Sequence, residues 1–89
     1  MPDEAARAEI WRRLIPDTVP KAANLRLQHL ARYYELSGAE IRNAVFKAAY
    51  RAARSGDVVT FDLLDLAARE EAGASREVVL PIMVVGGEA

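Results

Sequence analysis

Residues 37–54 read SGAEIRNAVFKAAYRAAR, and this stretch decides the fold. Ser37 followed three residues later by Glu40 is a capping box. The serine hydroxyl accepts from the backbone N–H of Glu40, and the glutamate reaches back to the N–H of Ser37, so two orphan donors of a helix start are satisfied together. Glu40 also sets a negative charge at the positive end of the helix dipole. Ile41, Ala44, Val45, Ala48, Ala49 and Ala52 then recur at helical spacing, and Phe46 with Tyr50 forms a second stripe. Apolar residues on more than one side predict a central helix buried among others. Arg51 and Arg54 suit its C-terminal end, and Ser55 with Gly56 offers a left-handed stop.

The rest of the chain fits around that helix as one domain. Eighty-nine residues bury only about 60–65% of the unfolded surface. The apolar fraction is 52%, much of it alanine, which predicts closely packed helices over a thin core. With no cysteine, disulfides, thiolate metal sites and a cysteine nucleophile are excluded. A net charge of −1 gives no general attraction to nucleic acid or to an anionic membrane. No apolar run approaches the ~18 residues needed to span a bilayer, and the acidic start at Asp3 and Glu4 lacks a signal-peptide core. A cytoplasmic protein is the default expectation.

In chain order, Pro2, Asp3 and Glu4 predict a first helix start. Ile10, Trp11, Leu14 and Ile15 form its apolar face, with Arg7, Arg12 and Arg13 expected on the wet side, and Pro16 ends it. Residues 16–23 read as a loop, with Val19 a candidate to tuck into the core. Asn24 is the expected N-cap of a second helix whose Leu27, Leu30, Ala31 and Tyr34 face inward. Val58 and Val59 read as a buried extended linker. Thr60 caps a fourth helix, with Phe61, Leu63, Leu64, Leu66, Ala67 and Ala68 inward and Ala72 with Gly73 as its stop. Residues 78–85, VVLPIMVV, carry a central proline and cannot sit inside a sheet. Docking along the helices, pairing with something outside the chain and remaining loose are all open for them; residues 86–89 are expected to be disordered. The fold class is therefore all-α: a compact four-helix domain over 3–73, with an extended apolar tail over 74–89.

Little in the chain can do chemistry alone. The single histidine, His29, reads as a solvent-facing helix residue with no metal-ligand spacing around it. Ser37 is a cap, Ser55 lies at a turn, and Ser75 is in the tail; none follows a nucleophile-elbow pattern. There is no glycine-rich phosphate loop with a lysine. Asp62, Asp65, Glu70 and Glu71 read as a solvated helix face, as do Arg42, Lys47, Arg51 and Arg54. Trp11 reads as core packing rather than a stacking platform. The chain is not a self-sufficient enzyme.

The segment YELSGAEIRNAVFKAAYRAA resembles the C-terminal helical lid of AAA ATPases of bacterial type, where a Ser-Gly-Ala/Gly-acid-Ile/Leu segment opens an alanine-rich helix. The order of neighbouring segments agrees. RAEIWRRL at 7–14 is similar to the first lid helix, and 24–31 to the second. Val59-Thr60-Phe61-Asp62-Leu63 is similar to the start of the last. The resemblance covers about residues 3–71. It implies a P-loop domain of the same parent protein, absent here, so that the chain is an excised lid with Met1 added or retained at the cut. It also implies ATP, with magnesium in the parent, and neighbouring subunits of a ring. Residue by residue, it sets Gly38 and Ala39 against the base and ribose and Ile10 against adenine. Leu14 falls where many members carry a histidine. Other clades place a sensor arginine at the position of Ala39, and Arg42, one turn on, is not equated with it.

The implied function is a lid that covers the base side of the ATP site and relays nucleotide state between ring subunits. The runner-up is a stand-alone helical protein-interaction module. A helix-turn-helix DNA reader is the weakest of the three, because residues 37–54 carry too much core.

Overall fold

A computed structural model of the chain describes residues 2–16 and 21–76. It contains four helices: α1 (Glu4–Leu14), α2 (Leu27–Tyr33), α3 (Gly38–Ser55) and α4 (Phe61–Arg76). Residues 37–55 form the helix expected of them. The Ser37 hydroxyl accepts from the Glu40 N–H at 3.1 Å, and the Glu40 carboxylate accepts from the Ser37 N–H at 2.8 Å. At the other end Gly56 is left-handed (φ 69°), with Asp57 N–H on the Ala52 carbonyl and Gly56 N–H on the Ala53 carbonyl. That is a Schellman stop, which glycine adopts without the strain a Cβ would bring.

The small residues of α3 let α4 approach closely. Ala44, Ala48 and Ala52 are buried, as are Ala67 and Ala68 opposite. Five residues join the two helices into an antiparallel pair, with Val59 buried and bridged to Lys21 by a single parallel pairing. The Thr60 hydroxyl accepts from Leu63 N–H and caps α4, as expected. α1 packs across α2 and α3. Trp11, Leu30, Leu36, Ile41 and Leu64 are the largest fully buried side chains and meet at the centre.

Several expectations are corrected. Arg7 is buried rather than wet: its Nε donates to the Ala31 carbonyl and its Nη1 to the Pro2 carbonyl, each at 2.8 Å. The cause lies in α2, whose seven residues leave the Ala31 carbonyl in a last turn without helical partners. A guanidinium four residues before Trp11, on the same face, reaches that carbonyl. Arg12 and Arg13 do remain exposed, both paired with Glu9. Asn24 does not cap α2. It accepts from the Arg26 N–H, and the helix starts after Arg26, which is left-handed at φ 50° without a side-chain cap. That conformation costs a non-glycine residue about 1 kcal/mol. The Arg26 guanidinium lies over the Phe61 ring at 4.9 Å, which gives the turn a tertiary anchor.

α4 also runs through Ala72 and Gly73, the expected stop, to Arg76, so the 73/74 boundary falls inside a helix. Gly73 keeps a negative φ, and a glycine weakens a helix by about 1 kcal/mol without ending it. Phe46 and Tyr50, expected among other helices, are 61% and 64% exposed; Ala49 and Leu66 also face out. Their stripe has no second helix layer against it among the described residues. Val19 and residues 78–85 lie outside the described residues.

Candidate functional site

Four residues were expected around a nucleotide: Ile10, Leu14, Gly38 and Ala39. α1 presents Ile10 and Leu14, one turn apart and both half-buried against the core. The capping box at Ser37 fixes where α3 begins, and so fixes Gly38 as its first residue. Ile10 and Gly38 meet: a Cβ built on Gly38 would lie 3.8 Å from Cδ1 of Ile10. That is ordinary van der Waals contact, so glycine is not forced there by crowding. Nor is it forced by backbone, because Gly56 is the only positive-φ glycine among the described residues. Ala39 is exposed beside it, and Arg42 is exposed one turn further along α3.

The arrangement is an apolar shelf ending at a bare backbone edge. A helix start leaves the N–H groups of Gly38 and Ala39 without intrahelical acceptors. The Glu40 carboxylate is folded back onto Ser37 at the same helix start and neutralises its pull on an anion. The shelf is therefore apolar, with little pull on an anion. No group of three or more potential metal ligands occurs among the described residues. His29 is exposed, as expected, with its ring 4.5 Å from that of Tyr33 and 5.4 Å from that of Phe61.

Several of the charged residues read as solvated faces are in fact partnered. Lys47 Nζ lies 2.8 Å from Glu71, and Arg51 lies 2.8 Å from Glu70, tying α3 to α4. Glu71 is buried, and Asn43 reaches it at 3.5 Å. The available signal was the i, i+4 spacing of Lys47 and Arg51 before a helix carrying two adjacent acids. Asp65 is likewise held, accepting from the Tyr34 hydroxyl at 2.7 Å and from Arg69 at 2.7 Å. Burial, and then Asp65, push the Tyr34 hydroxyl above its ordinary value of 10.0.

That shift has a consequence with a definite sign. Unfolded Tyr34 ionises at its ordinary value, while folded Tyr34 holds its proton to higher pH. Its contribution is therefore complete below pH 10.0 and lost as pH rises through the folded value. Tyr34→Phe is expected to flatten that loss in urea-unfolding midpoints measured from about pH 9 to pH 11. An unchanged slope would mean that the Tyr34–Asp65 bond does not form in solution.

Comparison with protein-family models and with curated proteins gave no match to the chain.

Proposed function

We propose that the chain is the C-terminal helical lid of an AAA ATPase, covering the base side of an ATP site formed with a P-loop domain of the same parent protein. The observation that carries this reading is the meeting of Ile10 and Gly38, far apart in sequence, on one apolar shelf. The shelf would take the adenine face, with the Gly38 and Ala39 backbone at its edge and Leu14 extending the apolar surface along α1. Phosphates, magnesium and hydrolysis belong to the P-loop domain, so the lid alone neither hydrolyses ATP nor binds it tightly. Because α3 is capped at both ends and locked to α4 by packing and ion pairs, the lid would move as a rigid body and relay nucleotide state to the next ring subunit. The test is the ATP affinity of the parent protein with Gly38 replaced by leucine.

The second reading is a helical interaction module, favoured by the exposed Phe46 and Tyr50. A module of that kind is indifferent to a side chain at Gly38, which separates the two.

A further inference from the structure

α3 carries two seams of the same spacing. Ile41, Val45, Ala48 and Ala52 step by four, three and four residues and are buried. One residue on, Arg42, Phe46, Ala49 and Ala53 repeat those steps, and all four are exposed. This is the period by which one helix packs on another. Ala49 and Ala53 leave the backbone open to a close neighbour, as Ala48 and Ala52 do on the covered side. The rings of Phe46 and Tyr50 stand beside them, 61% and 64% exposed.

The charge of this outer seam is one-sided. No Asp or Glu occurs from Ile41 to Gly56, whereas Arg42, Lys47, Arg51 and Arg54 all do. Lys47 and Arg51 are answered by Glu71 and Glu70 on α4. Arg42 and Arg54 have no carboxylate partner among the described residues. Arg54 leans on Tyr50 instead, its guanidinium 5.7 Å from the ring centre. The two open cations stand one turn outside the ring pair on either side. At 1.5 Å per residue they are about 18 Å apart along the helix.

We propose that this outer seam docks an amphipathic helix of a partner protein, with aliphatic side chains over Phe46 and Tyr50 and carboxylates that meet Arg42 and Arg54. A helix has the same rise per residue as α3, so acids one turn outside an apolar pair reach both arginines at once. A second copy of the chain fits badly, because it would bring four unanswered guanidiniums together with no carboxylate between them. A nucleic-acid strand carries a phosphate at every nucleotide, whereas only two open cations lie along this seam. Two rings and two alanines cover far less than the ~1,200 Å² of a stable complex, so the contact is a transient one. The seam shares no residue with the Ile10–Gly38 shelf, so Gly38→Leu leaves it untouched and the two readings fail separately.

The test titrates the full isotope-labelled chain with two synthetic helical peptides, followed by amide NMR shifts. Both peptides carry leucines at the spacing of the seam; glutamates flank the stripe in one and lysines in the other. The glutamate peptide is expected to give saturable shifts centred on residues 42–54 and to bind about tenfold tighter than the lysine peptide. Arg42→Glu with Arg54→Glu should reverse that preference. Phe46→Ser with Tyr50→Ser should abolish binding of either peptide while the helical circular dichroism stays unchanged. Equal binding of the two peptides overturns the proposal, as does a preference that survives the charge reversal. Shifts that fall elsewhere on the chain overturn it too. So does saturation of the seam by oligothymidylate or by anionic vesicles at concentrations where the glutamate peptide does not bind. A peptide-free chain that sediments as a dimer, and as a monomer in the serine double variant, assigns the seam to a second copy and also overturns it.

Discussion

Trp11→Ala is expected to destabilise the domain by about 3–5 kcal/mol. Trp11 is fully buried, and it touches the core that α1, α2 and α3 share. Single domains hold about 5–15 kcal/mol in total, and one this small sits toward the lower end. The variant should therefore lose most of its helical signal near room temperature, or melt far below the parent chain in a thermal circular dichroism scan. Trp11→Phe should cost less than half as much. The indole N–H of Trp11 is buried without an acceptor among the described residues. Phenylalanine removes that unsatisfied donor, which offsets part of the lost packing. An alanine variant within about 1 kcal/mol of the parent would mean that α1 is not docked on the core.

Arg7→Ala should be the next largest loss, about 2–3 kcal/mol. The substitution removes a buried stem and leaves the carbonyl of Ala31 without the donor it has now. Arg7→Lys should fall between, since a single ammonium on a flexible stem cannot hold the fork of bonds to Ala31 and Pro2. Arg12→Ala is the control. Among the described residues Arg12 pairs with Glu9 on the outer side of α1, and such solvent-facing pairs contribute at most about 1 kcal/mol. Urea unfolding of the four chains orders them. Equal losses for Arg7→Ala and Arg12→Ala would contradict the burial of Arg7.

What was legible in the sequence is what depends on near neighbours. Ser37 with Glu40 declared the start of α3, Gly56 its stop, Pro16 the end of α1 and Thr60 the cap of α4, because each acts within four residues along the chain. What depended on a distant partner was not legible. Arg7 reads as a surface cation until the open carbonyl at Ala31 is brought beside it. Asn24 looks like a cap, yet Arg26, over the ring of Phe61, is where the chain turns into α2. Phe46 and Tyr50 have the spacing of a buried stripe, and only the number of helices around α3 decides whether it is covered. Lys47 and Arg51 looked solvated because their acids lie on the next helix. At the candidate site, the residues were named by resemblance, while the contact between Ile10 and Gly38 is a tertiary fact that no spacing contains.

The role of that contact is tested most directly by Gly38→Leu, read in two ways. Gly38 has no positive φ, and its Cβ position is open to within 3.8 Å of Ile10, so leucine should fold. Replacing glycine near a helix start should hold or raise the stability of the isolated domain, by up to about 1 kcal/mol, and its melting temperature with it. On the proposed reading, the same side chain in the parent protein would stand where the base lies. ATP affinity measured by calorimetry should then fall about tenfold or more, at least about 1.4 kcal/mol. A nucleotide lid predicts weaker ATP binding with an intact melt. Unchanged ATP affinity in a folded parent protein would contradict it and reduce Gly38 to the first residue of a helix.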